Sequence, residues 1–162
     1  MSFSQLIMET LNDELSDIND LPSAVRIMFR LLLAACLGGL LGYDREAKGK
    51  GAGVRTHMLV ALGSAMFVFV PQQAGASMGD ITRILQGLVA GIGFLGSGVI
   101  IKNEKNGDTK GMTTAAGIWL TAALGMTVGM GREATAIIST VLALIIIALV
   151  PKVEKPKTHI KS

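Results

Sequence analysis

The sequence predicts an all-α polytopic membrane protein, a bundle of five transmembrane helices preceded by an amphipathic N-terminal helix. Five apolar stretches predict it first: residues 23–43, 56–71, 81–101, 112–130 and 134–150, each near the length a helix needs to cross about 30 Å of hydrocarbon at about 1.5 Å per residue. Composition agrees, with 50% hydrophobic and 17% charged residues in 162 and a mean hydropathy of +0.53. That length holds one bundle and leaves nothing for a second domain. The basic residues give the third observation. Eleven of the fifteen fall in three regions that share one side if every stretch spans: Arg45 to Arg55, Lys102 to Lys110, and the tail from Lys152 to Lys161. The positive-inside rule places that side in the cytoplasm, with the N-terminus outside and the C-terminus inside.

Residues 1–22 lack the basic start of a signal peptide. Phe3, Ile7, Leu11, Leu15 and Ile18 recur at helical spacing beside Glu9, Asp13, Glu14, Asp17 and Asp20. An amphipathic helix on the outer surface is expected, lying in the interface or packed on the rim of the bundle, with Pro22 ending it before the first span. Cys36 stands alone mid-span, which excludes an intramolecular disulfide and predicts a buried, inert thiol.

Small residues recur at helical spacing inside the spans. Ala34, Gly38 and Gly42 line one face of the first, Gly87 and Gly91 begin a face of the third, and Gly117, Thr121, Gly125 and Gly129 run through the fourth. In lipid such faces let backbones approach and recover dispersion contacts, so they are the expected helix seams and also allow a homo-oligomer. Gly91, Gly93 and Gly96 fit the spacing of a dinucleotide-binding turn, but no strand precedes them, and a nucleotide site is not expected. The dense run from Gly91 to Gly98 reads instead as a closely packed helix, or as one locally broken to line a cavity.

Arg30 lies seven residues into the first span, about 10 Å deep, where a guanidinium must pair, snorkel or face water. By depth Asp80 is its first candidate partner and Glu133 its second; Arg26, Arg83 and Arg132 complete a possible outer cluster. The plainer reading has Asp80 capping a helix while the arginines snorkel. At the opposite end, Asp44 and Glu46 offer oxygen ligands for a divalent cation, but residues two apart point to different helix faces. His57 beside Arg55 suits a pH-sensitive group or a polar helix end, and Thr113 and Thr114 most simply cap the fourth span. The basic loops adjoin the spans, so the lipid bilayer and not nucleic acid is their expected counterpart.

Taken in order, Arg30 to Ala35, Gly38 to Gly42, Asp44-Arg45-Glu46, Gly53-Val54-Arg55-Thr56-His57, Asp80 to Ile84, Gly91 to Gly96 and Gly111 to Ala116 resemble the membrane domain of the MgtC/SapB family across about residues 25–150. The resemblance implies a bacterial inner-membrane protein of magnesium homeostasis and low-magnesium adaptation, associated in pathogens with virulence. It implies modulation of another membrane protein, such as a cation-transporting ATPase or the ATP synthase, with small-ion (magnesium) transport as the alternative. It also makes Arg30, Asp44, Arg45, Glu46, Arg55, Thr56, His57, Asp80, Arg83, Thr113 and Thr114 the functional candidates. Gly38, Gly42, Gly91, Gly93, Gly96 and Gly98 become the candidates for helix packing. Asp44 stands where the family pattern leads one to expect glutamate, and the chain ends twelve residues after Val150, without the soluble C-terminal domain of longer members. No nucleophile with its base, metal cluster or phosphate loop is evident, so a non-enzymatic protein without a cofactor is expected.

Overall fold

Leu21 and Pro22 open the first long helix in the computed structural model, which describes residues 2–14, 21–102 and 109–153. Proline is tolerated there because the first turn of a helix has no intrahelical acceptor for its N–H groups. The order is α1 (Phe3–Glu14), α2 (Leu21–Ala47), α3 (Val54–Gln73), α4 (Met78–Ser97), β1 (Ile101–Lys102), β2 (Thr109–Lys110), α5 (Met112–Gly129) and α6 (Glu133–Val153). The five helices α2 to α6 are each long and apolar enough to cross a membrane. The protein is a polytopic membrane protein.

Its α1 is exposed along its whole described length, with Phe3, Leu6, Ile7, Met8 and Leu11 uncovered. Leu15, Asp17, Ile18 and Asp20, read as part of the same helix, lie outside the described residues, as do Lys105, Lys155, Lys157 and Lys161.

The core lies where α2, α3 and α5 meet. Ala34, Leu37 and Leu41 of α2 pack with Ala61 and Ala65 of α3 and Leu124 and Val128 of α5, and Ala136 and Ala143 of α6 close the cluster. Glycine sets the spacing of these axes. A Cβ at Gly38 would lie 2.5 Å from the His57 carbonyl oxygen, one at Gly42 would lie 2.7 Å from the Val54 Cα, and one at Gly125 would collide with the Ala61 carbonyl. At Gly129 the Ala65 carbonyl oxygen would be 2.6 Å away. Backbone meets backbone along this seam, the way small residues recover dispersion energy in lipid.

The third span departs from expectation. Its helix α4 ends at Ser97, four residues early, and Ile101 enters an antiparallel ladder with Lys110, a two-residue hairpin that periodicity cannot reveal. The helix is unbroken through Gly91 and Gly93, and neither lies in a seam, because open space surrounds both, as it does Gly87. Gly96 meets Ala115 at ordinary van der Waals distance, while Gly98 is the C-cap of α4. Its outer surface, Phe94 at 84% exposure included, faces the surroundings. Cys36 is likewise exposed and not buried, since the apolar environment of a span is as often lipid as protein.

Candidate functional site

Polar side chains gather at the two ends of the α2–α3–α5 core. At the end where α2 begins, Arg30 Nε donates to Glu133 Oε1 at 3.0 Å, joining α2 to the first turn of α6. The Arg30 guanidinium also stands 5.7 Å from the centre of the Phe69 ring, a cation–π distance. Between α5 and α6 the chain turns at Gly131, whose φ of +75° favours glycine and whose absent Cβ leaves room for the Arg30 guanidinium. Glu133 serves twice here, as counter-charge to Arg30 and as an acid in the positive first turn of α6.

Asp80, the first candidate by depth, is engaged elsewhere. It completes a capping box in which its own N–H donates to Ser77 Oγ at 3.2 Å and the Ser77 N–H and Oγ donate to its Oδ2. Its other oxygen accepts from Arg83 Nη1 at 3.2 Å, and both members of that pair are exposed. Arg26, one turn before Arg30, lines a cavity with it beside Phe69, Gln72 and Gln73, whereas the ion pairs Arg30–Glu133 and Arg83–Asp80 share no member, so Asp80 and Arg83 form a separate pair.

Side chains reach between helices at the opposite end. Glu46, in the last turn of α2, accepts the Val54 N–H on Oε2 at 2.8 Å and so caps α3 from eight residues away. Gly53 is required beneath it, since a Cβ there would strike that carboxylate. Asp44 pairs with Lys48 at 2.7 Å across one helical turn. Asp44 and Glu46 thus serve different partners, and among the described residues no three His, Cys, Asp or Glu side chains converge to hold a metal ion.

Arg45, between those two carboxylates, points inward. It is 6% exposed, and its Nη2 donates to Thr114 Oγ1 at 2.5 Å in the first turn of α5. Thr114 is therefore a buried acceptor and not a cap. The N-cap is Gly111, at φ +94° with no capping side chain, where a Cβ would collide with the Val99 carbonyl; Thr113 is exposed beside it. One turn into α3, fully buried His57 uses Nδ1 on the Gly53 carbonyl at 3.0 Å. Because a carbonyl only accepts, Nδ1 holds the proton and Nε2 is left as an acceptor, 3.4 Å from the position a Gly117 Cβ would take. Arg55 is exposed and Thr56 half-buried, and both line a groove with Glu46 and Lys50.

Residues 31–156 match the MgtC family. The chain belongs to the MgtC family. It is 44% identical over 130 residues to the protein SrpB of Synechococcus elongatus, an alignment spanning 74% of this chain and 71% of that one. It is 40% identical over 127 residues to a protein of Escherichia coli K12 named "Putative magnesium transporter YhiD", covering 74% of this chain and 58% of that protein. The protein MgtC of Brucella abortus is 40% identical over 116 residues, which is 72% of this chain and 48% of the relative. The chain thus spans from about half to seven-tenths of the length of these relatives. No solved structure matches it. As a multi-pass protein of this family, it belongs in a bacterial membrane.

Two interactions between distant residues escaped sequence reasoning: Glu46 capping α3, and Arg45 reaching the first turn of α5. The motif carrying Asp44, Arg45 and Glu46 marked the place. Which carboxylate would cap and which cation would be buried depends on how α2 rotates against α3 and α5, and single-chain periodicity leaves that open.

Proposed function

We propose that this MgtC-family protein works in the bacterial inner membrane in magnesium homeostasis and low-magnesium adaptation by modulating another membrane protein, without catalysing a reaction. The observation that carries this reading is the unequal packing of its glycines. Those of α2 and α5 are consumed in a seam of backbone contacts through the middle of the bundle, whereas Gly87 and Gly91, one turn apart on one face of α4, have open space where a side chain would stand. A sealed centre with an open small-residue face suits a protein that docks in the membrane plane. A cation-transporting ATPase or the ATP synthase is the kind of partner the family resemblance suggests. The basic end bearing Arg45, Lys48, Lys50 and Arg55 is taken as cytoplasmic, with the N-terminus outside and the C-terminus inside.

Magnesium transport is the second reading, favoured by His57 Nε2 and Ser64 Oγ, buried polar atoms of α3 without hydrogen-bond partners. The test is magnesium flux into liposomes holding the purified protein, run beside Arg30→Ala and His57→Ala. Flux in the wild type that the substitutions abolish makes the protein a transporter. A folded protein that passes no magnesium, but whose in vivo cross-links from α4 reach a second membrane protein, supports the modulator.

A further inference from the structure

The basic end of the bundle contains a cavity whose chemistry is that of an anion site. It measures about 570 Å³ and lies between the end of α2, the turn that follows it, the hairpin and the start of α5. Arg45, Lys50 and Lys110 line it together with Gly111, Thr113 and Thr114, and no carboxylate of the described residues does.

Arg45 is more than nine-tenths buried, and its Nε has no hydrogen-bond partner. None of the ion pairs among the described residues includes it. Removing a guanidinium from water without a counter-charge is costly, which is why buried cations are ordinarily paired. Among the described residues its side chain has one hydrogen-bond acceptor, the Thr114 hydroxyl, which brings no counter-charge. At the same place α5 begins at Gly111 with no side-chain cap, so the first-turn N–H groups and the positive end of the helix dipole adjoin the guanidinium. A planar donor group, two flexible ammonium groups and an uncapped helix start form the donor set that oxygen-rich tetrahedral anions occupy.

We propose that this cavity binds a phosphate group, supplied either by the headgroup of an anionic lipid or by a soluble phosphate compound. Arg45 and the start of α5 hold the phosphate oxygens, and Lys50 and Lys110 close over it from the exposed side.

The test uses the full chain in phosphatidylcholine nanodiscs at fixed ionic strength. Inorganic phosphate is titrated with binding read by calorimetry and by the unfolding midpoint, and nanodiscs containing phosphatidic acid or phosphatidylglycerol are tested in parallel by native mass spectrometry. The double variant Lys50→Ala/Lys110→Ala alters exposed side chains only and keeps the fold. It is expected to bind about tenfold more weakly, the effect of losing roughly one charge-assisted contact. Arg45→Gln is expected to abolish binding. Phosphate binding in pure phosphatidylcholine assigns the soluble source. Retention of the anionic lipid alone, weakened in the double variant and lost in Arg45→Gln, assigns the headgroup. The proposal is overturned if neither probe binds, or if Arg26→Ala/Arg83→Ala, which removes two charges at the far end of the bundle, weakens binding equally.

Discussion

Arg45 and Thr114, 69 residues apart in sequence, are joined by a buried hydrogen bond that ties the end of α2 to the start of α5. It fixes the basic end of a core otherwise held by small apolar contacts. Thr114→Val keeps the side-chain volume but leaves the guanidinium without that acceptor, and should lower stability by about 1–3 kcal/mol. Thermal unfolding in detergent reads this, and an unchanged midpoint would show that the bond contributes nothing net.

Glycines that look alike in sequence should differ sharply when substituted. Gly125→Ala places a methyl against the Ala61 carbonyl and must push α3 from α5, at a cost of about 2 kcal/mol or more. Gly91→Ala meets open space and should leave stability unchanged, or slightly raised by helix propensity, by at most about 1 kcal/mol. Unfolding midpoints of the two proteins should therefore move by clearly different amounts.

The Arg30–Glu133 pair is half-buried, so stranding one partner costs more than removing both. Glu133→Gln should impair growth at limiting magnesium to nearly the same degree as Arg30→Gln, and the double variant should be less than additive. Asp80→Ala loses a cap and an exposed ion pair, about 1 kcal/mol, and should act on stability alone. A growth defect for Asp80→Ala in a protein present at normal levels would count against that division.

The arrangement of the spans is testable by cysteine labelling. In a Cys36→Ala background, Lys48→Cys should react with an impermeant maleimide only after the cells are opened, and Gln73→Cys should react in intact cells. The reverse pattern would invert the orientation.

Much of the architecture was legible in the sequence because a membrane helix must satisfy its own backbone over a fixed length, and apolar runs record that length directly. The Gly38/Gly42 and Gly125/Gly129 faces were legible for the same reason, as small residues in lipid have few other uses. The equally glycine-rich α4 misled, because a small-residue face states that something can approach without stating what. Asp80 was preferred over Glu133 on depth alone, and depth along a helix says nothing of rotation about its axis. Once a capping box engages Asp80, the nearest remaining acid at that level belongs to α6. The hairpin from Ile101 was hidden because Val99, Ile100 and Ile101 continue the apolar run of the span past the last residue of its helix.

The placement of α5 against both α2 and α3, with α4 at the margin, has a consequence for how the chain is made. Helices leave the ribosome in order, so α2 and α3 pair first and α4 enters the bilayer before the helix that completes the core. Until α5 arrives, one side of the His57 and Ala61 seam faces lipid. Insertion is therefore not the completion of folding in this protein: the core closes only when α5 packs laterally, and a chain interrupted before Met112 would hold three spans, α2, α3 and α4, without the helix that covers the His57 and Ala61 seam.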